Sequence, residues 1–415
     1  MSLEQLQRRL ANGRCYTAPE ITPFVGNCTL KRLDAAIAFA EARRLFDAGL
    51  ERHAKKPGQI IASDMDAVFT ELSMVGVISR RNGDHKLALE VGIQLRMLQT
   101  ETPKTVQMVA CALTHIQRMF LEYGMFIGEF GIGLVIPERI IRTETEDFYP
   151  YIRTSNEQIG RAGEFYESEW GVRPIVGLDL HRSVANIRIM AAMVDDTSYA
   201  RGLGLSSDNV DSEARSALRS DRELARTIKK AALAVLYGRT LCQAFERERE
   251  DDPGEWFLNL VNAHISTMVA HEKTHARLRE IKAIPDSEIT EEAIAMLGQV
   301  AYGPTEMALV QLFLNNVDEL TPHSMARDRV LANLLLINGI RDDNPETLPD
   351  ILELTPALLA QSARKLLGLA FKCKNYSGVD GILEAREIER VASLRFLTSQ
   401  DMALLDTIKH DPRII

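Results

Sequence analysis

Trp256–Ile281 reads WFLNLVNAHISTMVAHEKTHARLREI, and within it Phe257, Val261, His264, Met268, His271, His275 and Leu278 recur mainly at steps of four and three. That spacing marks one face of an α-helix. The stretch predicts a long helix over about 255–282. It is entered through Asp252-Pro253-Gly254 and stopped before Pro285. Three histidines fall on the seam that turns toward the core rather than on the wet side.

Upstream, residues 210–250 contain no Gly or Pro except Gly238, which predicts a second long helix. Joined by a short Pro-Gly turn, the two read as antiparallel neighbours. Ser287 follows Asp286 and caps a shorter helix. Further helices are expected over 304–317, 322–340, 356–374 and 384–409, with Pro304, Pro322 and Pro356 in first-turn positions. In the N-terminal part, helical periodicity covers 29–54, 63–81, 84–99 and 103–123. Asn82-Gly83-Asp84 joins the middle two into a hairpin. The fold class expected is therefore all-α, packed helical hairpins in two or three subdomains with little or no sheet. The expected segments are 1–142 (hairpins), 143–205 (connecting helices and a loop at 200–209), 206–341 (the long-helix pair and bundle) and 342–415 (a C-terminal module after the linker at 341–345).

Two stretches depart from helical spacing. Gly124–Pro137 carries four glycines among Phe126, Ile127, Phe130, Ile132 and Leu134, and reads as a buried loop or a short hairpin. Gly171–Leu180 (GVRPIVGLDL) is the best strand candidate, with a helix following from His181 to Val194. Residues 143–168 are read as an acidic helix. Asp179-Leu180-His181-Arg182, with no nucleophile nearby, reads as a local ion pair.

The chain has 415 residues, a net charge of -9 and 26% charged residues. Its size suffices for a core without disulfides. An acidic surface repels a phosphate backbone, so no nucleic-acid partner is expected. Five widely spaced cysteines without a CxxC argue against a disulfide framework or a zinc ribbon. The start, MSLEQLQRRL, lacks an apolar signal core, and no apolar run reaches the length of about 20 residues that spans a bilayer. A cytoplasmic location is expected, with a protein partner or homo-oligomer.

His271-Glu272-Lys273-Thr274-His275 carries the candidate chemistry. The two histidines lie one turn apart, so both imidazoles can reach one ion. Glu272 lies about 100° around the helix from His271. This pattern resembles the HExxH zincin metallopeptidases. The resemblance implies zinc held by His271 and His275. Glu272 would be the general base that takes a proton from zinc-bound water, and the ion would polarise a scissile carbonyl. In the glutamate-type branch a Glu on a later helix completes the set. Glu306, 31 residues past His275, is the first candidate for it, with Glu291, Glu292 and His264 as rivals. The sequence departs from the family at Lys273, Arg277 and Arg279, where uncharged residues are usual. It also shows almost no strand upstream, where the family aligns its peptide.

Three functions follow as expectations: a helical interaction or assembly protein without catalysis, a zinc metallohydrolase built on 255–310, or a di-iron bundle using Glu272 and His275. The last requires a second ExxH, and the chain has none. Two fainter resemblances lie elsewhere. The hairpin at 69–95 is similar to a tetratricopeptide unit, but the next 34-residue period does not repeat it. Residues 376–387 resemble half an EF-hand and the acidic-loop modules of tellurite-resistance proteins. Tyr376 and Gly378 occupy positions where calcium needs oxygen ligands.

Overall fold

The structure, a computed structural model, describes residues 32–55, 62–100, 106–128, 131–135, 139–143, 146–153, 163–166, 175–195, 212, 216, 253–280, 285, 287–314, 321–340, 354–372 and 387–410. The expected helix over 210–250, the loop at 200–209, the linker at 341–345 and the acidic loop at 376–386 lie outside the described residues, apart from isolated positions. The chain divides into two compact units, Met1–His181 and Arg182–Ile415. The described chain is predominantly helical, as its periodicity predicts, with one small sheet.

In the first unit, α1 (Leu33–Lys55) packs on α2 (Ala62–Arg81), α2 on α3 (His85–Thr100), and α3 on α4 (Val106–Glu122). The α2–α3 turn follows from its sequence. Gly83 takes φ 76°, a conformation open to glycine at little cost. Asp84 then caps α3 by accepting from Leu87 N at 3.1 Å. Arg32 pairs with the same Asp84 carboxylate, and its guanidinium lies 3.6 Å from the Tyr123 ring centroid.

The sheet has the order β1-β2-β4-β6-β5, with β3 also on β4. Its strands are β1 (Met125–Gly128), β2 (Gly131–Val135), β3 (Ile141–Arg142), β4 (Asp147–Arg153), β5 (Gly163–Tyr166) and β6 (Ile175–Asp179). All pairings are antiparallel except β4 with β6, where Tyr149 faces Gly177. Of the two alternatives at Gly124–Pro137, the hairpin is the one present, and the strand expected within Gly171–Leu180 is β6. The expectation of a helix over 143–168 is corrected: 147–153 and 163–166 are strands. The reason lies in Phe148-Tyr149-Pro150-Tyr151-Ile152, whose aromatic and β-branched residues suit a pleated surface and whose proline opposes a helix interior. Pro150 is tolerated because it falls between the β3 pairing at 147–148 and the β2 pairing at 151–153, with no ladder partner on that edge among the described residues. Leu121, Phe126, Val135, Tyr149, Tyr151 and Ile175 form the core here. Phe126 meets Tyr149 edge-on at 5.2 Å between centroids. At the end of β6, Asp179 Oδ1 accepts from His181 N at 2.9 Å, so the Asp179–Arg182 cluster opens a helix, α5 (Leu180–Asp195).

The second unit is built around α6 (Pro253–Glu280) and α7 (Glu288–Tyr302). α7 packs against α6, α8 (Thr305–Leu314), α9 (Pro322–Ile337) and α10 (Pro356–Lys372). The described residues of this unit carry no strand. The helix expected over 384–409 is interrupted: 387–392 is helical, and a 3₁₀ turn at Ser399–Asp401 leads into α11 (Met402–Lys409). Two side-chain clamps hold the break. Asn262 on α6 bonds both N and O of Leu397 at 3.0 Å. Thr398 and Asp401 form a capping box that starts the next helix.

Candidate metal centre

α6 is enclosed on more sides than its seam suggests. Val269 through Ala276 are all buried, including Glu272, Lys273 and Thr274 on the faces away from the seam. Partners are supplied for polar groups here. Lys273 Nζ pairs with Glu387 at 3.3 Å, which gives the cation between the two histidines a separate carboxylate. Thr274 Oγ1 donates to Ala270 O at 2.7 Å, and Thr267 Oγ1 to His264 O at 2.7 Å.

The three seam histidines separate into one and two. His264 accepts from Asn186 Nδ2 at 2.8 Å through its Nε2. Full burial, with the Arg182 charge adding, pushes its pKa down to about 3, so the ring is neutral. Seven residues along a helix is a rise of about 10 Å, which puts His264 out of reach of an ion at His271.

His271 and His275 turn their Nε2 atoms toward each other at 3.2 Å. Glu292, in the first turns of α7, places Oε2 3.4 Å from His271 Nε2 and Oε1 3.6 Å from His275 Nε2. One ligand atom from each of the three lies within 4.8 Å of the others. An ion with bonds of about 2.0–2.1 Å in tetrahedral geometry needs its ligands about 3.4 Å apart, so a small closure seats one. The chemistry of the set agrees. Two imidazole nitrogens face one carboxylate, and Glu292 Oε2 is buried without a well-aligned hydrogen bond.

Around this set stands an outer layer. Glu291 Oε1 accepts from His275 Nδ1 at 2.9 Å, which leaves the Nε2 lone pair for an ion. Arg279 Nη2 lies 3.4 Å from the same Glu291 oxygen. Arg279 thus supports the outer carboxylate instead of opposing a metal. His323, at the start of α9, puts Nε2 3.2 Å from Glu292 Oε2.

The electrostatics reflect crowding of carboxylates around imidazoles. Burial lowers the His275 pKa, but Glu291 and Glu292, aided by the charge of Glu272, outweigh it and raise it to about 9. Burial pushes the Glu292 carboxyl up, and His271 and His275 more than reverse this, holding it far below the usual carboxylate range. The His275 hydrogen bond, against burial, lowers Glu291. A divalent cation would take the place of the proton that His275 otherwise holds.

Of the residues singled out in the sequence, His271 and His275 come together with Glu292, a rival for the third position. Glu306, the first candidate, sits half-buried in the first turn of α8 and is not a member of the group. Glu272 is buried beside His271 and acts on His275 through its charge. His323 carries no sequence signal, because its approach depends on how α9 packs on α7. Comparison with protein families, curated proteins and solved structures returns no match to this chain. No helix among the described residues is long and apolar enough to cross a membrane.

Proposed function

We propose that this protein binds one divalent ion between α6 and α7, zinc being the ion that suits a two-histidine, one-carboxylate set, and that the site serves hydrolysis. The carrying observation is the convergence of His271, His275 and Glu292, backed by Glu291 on His275 Nδ1. Structural zinc sites are usually closed by four protein ligands, whereas three leave a position for water or substrate. Zinc in such a set supplies Lewis acidity and brings the pKa of a coordinated water to about 7. Glu272 is the proposed general base: it is buried next to a ligand and near enough to His275 for its charge to act there. The resemblance to zincins supports this assignment, and Glu292 on the next helix matches the glutamate-type branch.

Glu272→Gln separates binding from chemistry. The variant is expected to retain zinc and to lose at least about 100-fold in hydrolysis of a generic peptide or ester substrate panel, the usual scale of general-base catalysis. Wild-type protein that hydrolyses equally well after chelation, or a Glu272→Gln variant as active as wild type, contradicts the catalytic reading.

A role in assembly is a second reading, supported by the first unit. Leu89 and Ile93 lie one turn apart on α3 and are 64 and 42% exposed. Light scattering is expected to show a self-associated species that Ile93→Lys reduces. A monomer at all concentrations, with no partner gained or lost on that substitution, removes this reading.

A further inference from the structure

The ligand-bearing turn of α7 is gripped from α9 at two points. Arg329 Nη1 donates to Thr290 Oγ1 at 2.9 Å, and two residues on, Glu292 Oε2 meets His323 Nε2 at 3.2 Å. The entry of α9 is fixed locally: Thr321 caps it by accepting from Ser324 N, and Pro322 presets the first helical residue. His323 is therefore delivered to Glu292 by a rigid helix start.

An ionised carboxylate only accepts, so a ring nitrogen beside Glu292 Oε2 stabilises it by bringing the proton. Glu292 Oε2 is buried without a well-aligned hydrogen bond, and of the two ring nitrogens near it His323 Nε2 at 3.2 Å is closer than His271 Nε2 at 3.4 Å. Carboxylates that ligate metals are themselves held by outer hydrogen bonds, which fix the oxygen they offer.

We propose that His323 is a positioning residue of the metal centre: its Nε2–H holds Glu292 Oε2 and leaves Oε1 to face His275 and the ion. This rests on the metal-binding reading above. It also ties α9 to the site, so that occupancy by the ion stabilises the docking of α9 on α7.

The test is competitive titration of the full chain with zinc, together with the visible spectrum of the cobalt-loaded protein. His323→Ala is expected to weaken zinc binding about 10–100-fold, the range for loss of an outer partner, and to alter the cobalt spectrum while the metal-free melting temperature stays put. His323→Gln, which keeps an N–H at similar reach, is expected to recover most of the affinity. Wild-type affinity and spectrum in His323→Ala overturn the inference and leave the metal reading standing. An equal loss in melting temperature with no recovery in His323→Gln also overturns it, in favour of a purely structural role. A wild-type protein that binds neither ion removes the metal reading and this inference together.

Discussion

His271→Ala is expected to abolish stoichiometric zinc binding, with a loss well beyond the roughly 10–100-fold that follows removal of an outer partner. The reason is geometric. His271 and Glu292 are two corners of the same small group, and without the His271 ring the ion keeps one imidazole and one carboxylate. His275→Ala should do the same, because its Nε2 is the third corner. His264→Ala should leave zinc binding intact, since its ring is engaged by Asn186. A competition assay reads all three. Zinc binding by His271→Ala as tight as in wild type contradicts the site.

The same assay carries a pH signature. His275 is raised to about 9 in the metal-free protein by Glu291 and Glu292 against burial. A raised histidine contributes stability that is full below its unfolded value of about 6.5 and is lost as pH rises through the folded one. Zinc needs that ring deprotonated, so apparent affinity should climb about tenfold per pH unit toward the folded pKa and then level off. The metal-free protein should lose stability over the same window while the zinc-loaded one does not. Affinity independent of pH across the window from about 6.5 to about 9 contradicts the role of His275.

Gly298→Ala is the second large effect expected. α6 and α7 approach closely where Thr274 meets Gly298: a Cβ there would lie 2.0 Å from Thr274 Oγ1 and 2.8 Å from its Cβ. Thr274 cannot yield, because it is buried, β-branched and bonded to Ala270 O. Gly298 lies two turns from Glu291 on the same helix face, so this contact sets the distance at which the α7 carboxylates meet the α6 imidazoles. Overpacking here should cost about 1–3 kcal/mol. For a unit of this size that lowers the melting temperature by about 2–4 °C per kcal/mol. Zinc affinity should fall as well. Thr274→Ala added to Gly298→Ala should restore part of both, giving a non-additive cycle. A Gly298→Ala protein with wild-type melting and zinc affinity contradicts this account of the helix spacing.

How much of this is legible in the sequence depends on whether the interaction is local. The α2–α3 turn at Asn82-Gly83-Asp84, the Pro322 helix start and the His271–His275 pair are set within a few residues, and each is where its spacing puts it. The strand at 147–153 reads as helix because its acidic neighbours mask a short aromatic run that becomes a strand only through β2, β3 and β6. The break after 392 escapes a sequence reading because Asn262, far away in the chain, holds Leu397 out of a helix. Choosing Glu292 over Glu306 requires the packing of α7 on α6. Spacing alone cannot supply that, since both glutamates open helices.

X-ray absorption at the zinc edge of the protein loaded with one equivalent of zinc tests the central claim most directly. The account predicts two imidazole nitrogens and at least one carboxylate oxygen at about 2.0–2.1 Å, in four- or five-fold coordination. A shell of oxygens without imidazole scattering, or one containing sulfur, would place the ion elsewhere and contradict it.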